Sequence, residues 1–353
     1  MPIQLILEGW TIDDVVDNQE WLRSVYRSEH KLIAFKKFYP TEEDLKTFRD
    51  VFQLGDDDQF TPDYVMDYKE LFERIEKQEY KNITADPDML MNPWHVENNY
   101  MLYPPVDAVW VMETFTCDKG KGNTGFVDSA AMYRAMPEEW QDLVSKVVQI
   151  AYPGWFKIDR DLFMRLARET IPSGKPMWYP VPGTDEAMRI NPHPFAMPHP
   201  VTGEMCLRTV TEHPPGDLPG VARLAIPGWL GTVKAAEDSS SGVVAIDPEG
   251  YTDPMWLGDF RHFAYEYLSD NPYWYEWDEG DMLVFDIFSL THCAQHGFKY
   301  GERLLRGQFY WYGQMKAGQD PMDRKPIWEI SDTYEGKRMT PAERTEAAQR
   351  LTI

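Results

Sequence analysis

Cysteine is scarce in this sequence. There are three in 353 residues, Cys117, Cys206 and Cys293, odd in number and far apart. No C-x-x-C pair occurs, which argues against a disulfide framework. Positive charge is also in short supply. Thirty-five Lys and Arg face 58 Asp and Glu, for a formal net charge of −23. A nucleic-acid binder needs a basic footprint against phosphates, and none is visible, so nucleic acid is not an expected partner. The same acidity discourages anionic membranes. Long apolar runs are missing too, and none reaches membrane-spanning length. The opening Met1-Pro2-Ile3-Gln4-Leu5 lacks the basic and apolar regions of a secretory signal. We find no internal repeat and no low-complexity linker. The glycine-rich Lys119 to Gly125 lacks phosphate-loop spacing. These absences lead to an expected cytoplasmic protein, one domain over residues 1–353, acting on a small molecule away from membranes. A homo-oligomer stays open.

Aromatic residues, by contrast, are abundant. They make up 14% of the chain and include 13 Trp, enough for an aromatic core or an aromatic-lined pocket. Thr11-Ile12-Asp13-Asp14 and Thr41-Glu42-Glu43-Asp44 read as helix starts, with Thr as cap and acids at the positive helix end. The second helix is expected to run to Phe52 and stop near Gly55. A further helix is expected around Tyr68–Gln78. Ala108 to Phe115 and Met282 to Asp286 are apolar runs and read as buried strands. Thr124 to Asp128 and Arg303 to Tyr312 read as strands as well. Ser129 to Ala135, Pro137 to Gln149 and Pro254 to Ser269 read as helices, and Thr340-Pro341-Ala342-Glu343 opens another. Residues 172–232 are rich in Pro and Gly and predict loops and short strands.

The chemistry concentrates in Trp94-His95-Val96-Glu97 and in the distant His292. On a strand, His95 and Glu97 would share a face. An H-x-E triplet alone is weak. With His292, just beyond a strong strand, it makes two imidazoles and one carboxylate, the facial set of non-heme Fe(II) oxygenases with open positions opposite. Eleven residues further on, Arg303 offers a planar fork for a distal carboxylate. A zinc hydrolase using a metal-bound water could employ the same three ligands, but it has no need of a carboxylate clamp.

In order along residues 30–313, the chain resembles the taurine dioxygenase family of 2-oxoglutarate oxygenases, with features of γ-butyrobetaine hydroxylase-like and clavaminate synthase-like members. The resemblance rests on Trp94-His95-Val96-Glu97, Gly122-Asn123-Thr124-Gly125-Phe126-Val127-Asp128, His199-Pro200-Val201-Thr202-Gly203-Glu204, Trp277 to Asp286 with His292, and Arg303 to Phe309. It implies a mainly β fold with flanking helices, a double-stranded β-helix or jelly roll. Residues 1–55 would form an α/β entry and 94–313 the catalytic unit, with an insert at 129–275. Residues 314–353 would be an extension. It also implies Fe(II) on His95, Glu97 and His292, and 2-oxoglutarate on Thr124 and Arg303. 2-Oxoglutarate and O2 would become succinate and CO2 as a small metabolite is oxidised, by hydroxylation in the simplest case.

Two positions depart from the family. Glu97 stands where most members have Asp, though clavaminate synthase-like enzymes also use Glu. Gly307 stands where taurine enzymes carry a sulfonate-binding Arg. A taurine-type sulfonate is therefore the secondary substrate class, behind amino-acid derivatives and trimethylammonium compounds. For the latter, Phe309 occupies the position of a cation-holding aromatic. Arg306 is the alternative 2-oxoglutarate clamp by clavaminate-like spacing. Trp94, Asn99, Tyr100 and Phe309 are the expected substrate-pocket residues.

Overall fold

Met282-Leu283-Val284-Phe285-Asp286 is buried along its whole length, the mark of a strand covered on both faces. The computed structural model describes residues 3–55, 63–66, 90–98, 101–145, 148–153, 177–180, 184, 186–190, 192–208, 223–226, 229–232, 241–246, 254–295, 297–313, 323–326 and 329. The principal strands in chain order are β1 (Gln4–Glu8), β2 (Leu32–Lys36), β3 (Asp63–Met66), β4 (Leu90–His95), β5 (Asp107–Phe115), β6 (Thr124–Asp128), β7 (Tyr273–Tyr275), β8 (Met282–Asp286), β9 (Leu290–Gln295) and β10 (Arg303–Tyr310). Among the described residues the helices are α1 (Ile12–Asp17), α2 (Gln19–Val25), α3 (Glu42–Phe52), α4 (Ser129–Ala135), α5 (Glu138–Val144) and α6 (Pro254–Asp270). No described helix is long and apolar enough to cross a membrane.

Two sheets organise the protein, which is mainly β with some helices. A six-stranded sheet runs β1-β2-β8-β5-β10-β3, and a four-stranded sheet runs β7-β6-β9-β4. Strand alternation divides their side chains into layers. Leu32, Ala34, Ala108, Trp110, Met112, Leu283, Phe285, Leu305 and Phe309 leave the large sheet on one face and meet Phe126, Tyr275 and Leu290 of the small one. The opposite face of the large sheet carries Ile33, Phe35, Val109, Val111 and Val284, packed under α1, α2 and α3. The outer face of the small sheet carries Trp94, Val127 and Cys293, packed under α4, α5 and α6.

Local sequence explains the helix starts. Thr11 and Thr41 form reciprocal capping boxes with Asp14 and Asp44. Asp128 accepts from the Ala130 and Ala131 amides and opens α4 directly from β6. One expected helix is shorter than its pattern. Residues 137–149 do not form a single helix, because α5 ends at Val144 and Val148–Pro153 is a strand paired with Ser241–Ile246. Pairing with a segment far along the chain overrides the local periodicity. The expected helices at 68–78 and from Thr340 lie outside the described residues.

A buried ionic cluster ties β5 to β8. Asp107 and Asp286 face each other in register. Tyr26, Arg27 and Tyr312 bond Asp107. Asp286 lies 3.2 Å from His199 Nε2. His199 Nδ1 accepts from the Val201 and Thr202 amides, so its proton sits on Nε2 and is donated to Asp286. Burial opposes ionisation of Asp286, but His199 and Arg27 outweigh it and hold the carboxyl well below the usual range. A carboxyl lowered by folding adds stability that is present above about pH 4 and lost as pH falls through its folded value. His199→Leu leaves the carboxylate buried without this partner, and should cost about 3–5 kcal/mol near neutrality. Protonation relieves that penalty, so urea melts should show a smaller deficit at pH 5 than at pH 7. An equal deficit at both would remove His199 as the source of the shift.

Candidate metal and co-substrate site

His95 and His292 meet because β4 and β9 are antiparallel neighbours with these two residues directly opposite in register. Their ring centroids are 4.2 Å apart. Glu97 reaches the same point by a different route from the one expected. β4 stops at His95, and Glu97 lies in the following turn, where Asn98 adopts a left-handed φ of 50°. The chain bends the carboxylate back toward the two rings. Glu97 Oε2 is 3.5 Å from His95 Nε2 and 3.4 Å from His292 Nε2. Ligand atoms from all three residues lie within 4.8 Å of one another, the one such group among the described residues.

Electrostatics suits a cation here. Burial opposes ionisation of Glu97, yet His292 and His95 hold its carboxyl well below the ordinary range. Burial and the neighbouring His95 lower His292, against the pull of Glu97. The carboxylate is thus charged and the buried imidazole neutral at neutral pH, as metal ligands must be. His292 Nδ1 lies 3.3 Å from Leu290 O, which directs Nε2 at the ligand cluster. That Nε2 is buried and makes no hydrogen bond. An orphaned imidazole nitrogen beside a carboxylate fits a metal. Donors held about 2.0–2.2 Å from one ion lie roughly 3–3.5 Å apart, which matches the separations from Glu97. Trp110 and Phe126 wall the cluster, with ring centroids 5.1 Å and 6.2 Å from His292.

A second polar group bridges the two sheets. Arg303, on the inner face of β10, donates from Nη2 to Thr124 Oγ1 (3.1 Å) and from Nε to Gly122 O (3.0 Å). It is almost wholly buried. Thr124 starts β6 on the same face as Phe126, beside Ala294 of β9. Arg306 is not brought to this face. It points outward, ion-paired with Glu42 of α3 and with Glu113 at 2.8 Å.

The pocket residues divide. Phe309 lies on the inner face with Arg303, in the core layer beside Trp311. Trp94 does not share His95's face. Alternation sends it outward under the helices, against Trp274, so it packs the sheet and does not line the ligand cluster. Asn99, Tyr100 and His296 lie outside the described residues. Two residues at the site went unassigned in the sequence. Trp277 donates to Thr124; it opens the Trp277 to Asp286 stretch, but nothing local in the sequence assigns it a partner. Fully buried Arg208 holds Phe288 O at 2.7 Å and Glu97 O at 3.3 Å, and a lone Arg after Met205-Cys206-Leu207 carried no signal. The cysteines take no part. Burial pushes the Cys117 thiol up to about 11 and Cys206 up to about 12, which keeps both protonated.

Two imidazoles and a carboxylate grouped between facing sheets define a candidate mononuclear metal centre. The chain belongs to the taurine catabolism dioxygenase TauD, TfdA family, whose model matches residues 7–308. It is accordingly a dioxygenase, an oxidoreductase, and membership implies Fe(II), 2-oxoglutarate and O2. No curated protein matches the chain in sequence. Among solved structures it is similar to the PvcB protein from Pseudomonas aeruginosa, with 15% identity, a TM-score of 0.50, and 87% of this chain and 86% of that chain covered. It is also similar to a taurine dioxygenase from Burkholderia xenovorans, with 14% identity, a TM-score of 0.49 and 87% of each chain covered. At such identities the likeness to PvcB is one of fold alone.

Proposed function

We propose that this protein is an Fe(II)- and 2-oxoglutarate-dependent oxygenase that hydroxylates a small metabolite. One observation carries the reading: His95, Glu97 and His292 converge between the two sheets, with the Thr124–Arg303 pair on the same inner face. We read the facing sheets as the two halves of a double-stranded β-helix forming one catalytic unit. Fe(II), when held by the three ligands, supplies the O2 and one-electron chemistry that no side chain can. The chain's own residues do the rest. Arg303 and Thr124 hold the distal carboxylate of 2-oxoglutarate by charge and hydrogen bonding. Trp110, Phe126 and Phe285 exclude water around His292 and keep the dielectric low.

Arg303 rather than Arg306 is the clamp in this reading, because Arg306 is committed to Glu42 and Glu113 on the other face. Gly307 follows Arg303 on the inner face and pairs with Trp110 across the sheet. It offers no cation to a sulfonate. We therefore place amino-acid derivatives and trimethylammonium compounds ahead of taurine-type sulfonates as the substrate class.

Anaerobic titration tests the reading. Fe(II) and 2-oxoglutarate together should give a weak visible charge-transfer band that neither gives alone. Admitting O2 should then yield succinate. Recovery of zinc in place of iron, with no band and no succinate, would overturn it in favour of a hydrolase on the same ligands.

A further inference from the structure

Thr124 is gripped from two sides. Its hydroxyl is almost fully buried and receives two hydrogen bonds, from Trp277 Nε1 at 2.8 Å and from Arg303 Nη2 at 3.1 Å. An indole N–H and a guanidinium can only donate. A hydroxyl has two lone pairs and one proton. Both lone pairs are therefore taken, and the proton is the one part of the group left to serve a ligand. Without Trp277, the hydroxyl could rotate and present a lone pair instead, which repels a carboxylate.

Trp277 is itself held in place. It lies between β7 and β8, edge-on to Tyr275 at 4.8 Å between centroids. The segment is fixed by Asp281, a carboxylate with no solvent exposure. Asp281 collects Lys36 Nζ (2.5 Å), the Lys37 amide (2.8 Å), the Tyr275 hydroxyl (2.9 Å) and the Asp278 amide (2.8 Å). Four donors from two segments converge on one acid, and the indole beside it is aimed at one oxygen.

We propose that Trp277 is a positioning residue for the co-substrate: it fixes the Thr124 hydroxyl as a hydrogen-bond donor to the carboxylate held by Arg303. This rests on the 2-oxoglutarate reading of that pair. Trp277 acts only through Thr124, so its effect should vanish when the hydroxyl is removed.

The test is calorimetric titration of 2-oxoglutarate into anaerobic Fe(II)-loaded protein, in a double-mutant cycle. Trp277→Phe keeps an aromatic ring and deletes the N–H. It should weaken 2-oxoglutarate about five- to tenfold, the scale of one hydrogen bond between uncharged groups, while Fe(II) affinity stays as in the parent. In a Thr124→Val background, the same substitution should change affinity less than twofold. In Thr124→Ser, which restores the hydroxyl, the five- to tenfold effect should return. An equal loss in the Val and parent backgrounds, or no loss in the parent, overturns the inference. Failure of the 2-oxoglutarate reading looks different: the parent itself would not bind 2-oxoglutarate, or Thr124→Val would bind it unchanged. Should Trp277→Phe fail to fold, Trp277→His retains a ring N–H donor and should bind more tightly than Trp277→Leu. Equal binding by the two counts against the proposal.

Discussion

Replacing His292 with alanine is expected to strip the tightly held metal and abolish succinate formation. His292 is the most buried of the three ligands, and its Nε2 has no other hydrogen bond to return to. Groups one shell further out typically change metal affinity 10- to 100-fold. Loss of a ligand should exceed that, by more than about a hundredfold in Fe(II) affinity. The ring is also packed by Trp110 and Phe126, so some stability will be lost with it, about 2–4 kcal/mol by analogy with other large-to-small core changes. Metal content by elemental analysis, read beside a thermal melt, separates the two effects. A folded variant that retains one Fe(II) per chain with parental affinity would remove His292 from the ligand set.

The second large effect is expected at Arg303. Arg303→Met keeps length and apolar bulk and deletes the guanidinium. A buried charge-assisted pair loses about 2–5 kcal/mol when one partner is truncated, or roughly 30- to several thousandfold in 2-oxoglutarate affinity. Metal affinity should move little, since Arg303 grips Thr124 and Gly122, while the three ligands stand on β4, the turn after it and β9. Arg306→Met is the matched control. It severs the pairs to Glu42 and Glu113 on the outer face, and should cost a small amount of stability with 2-oxoglutarate binding intact. A reversed pattern, with Arg306→Met abolishing binding, would transfer the clamp to the other face.

Much of this was readable from the chain, because local chemistry decided it. The capping boxes at Thr11 and Thr41 are written in four residues each, and both helices begin there. Met282 to Asp286 and Ser129 to Ala135 form with the boundaries their patterns predict. What local pattern could not supply was any contact set by distant pairing. His95 and Glu97 do converge, but through a strand end and a turn, not through two same-face positions of a longer strand. Trp94 sits on the outward face because the strand leaves His95 inward, and only knowledge of which face is the interior separates the two. Val148–Pro153 is a strand because Ser241–Ile246 lies beside it, nearly a hundred residues away. The faces of β10, by contrast, follow from spacing alone: Arg303 and Arg306 are an odd number of residues apart, and buried and partly buried positions alternate from Arg303 to Gln308.

The register that places His95 opposite His292 has a consequence for folding as well as chemistry. The two residues are nearly two hundred positions apart in the chain. Their pairing closes a very long loop, whose entropic cost must be met before the non-local contacts reward it. Side-chain direction alternates along a strand, so a slip of one residue between β4 and β9 would turn one imidazole out of the interior. Two irregularities in that ladder, flanking Ala294, are where such a slip would start. A metal ion that binds only the correct pairing would act as a proofreader of the ladder, adding stability in proportion to the logarithm of its concentration over its dissociation constant. Iron-starved chains would then populate misregistered sheets more often than iron-replete ones, and aggregation during refolding should fall as Fe(II) is supplied.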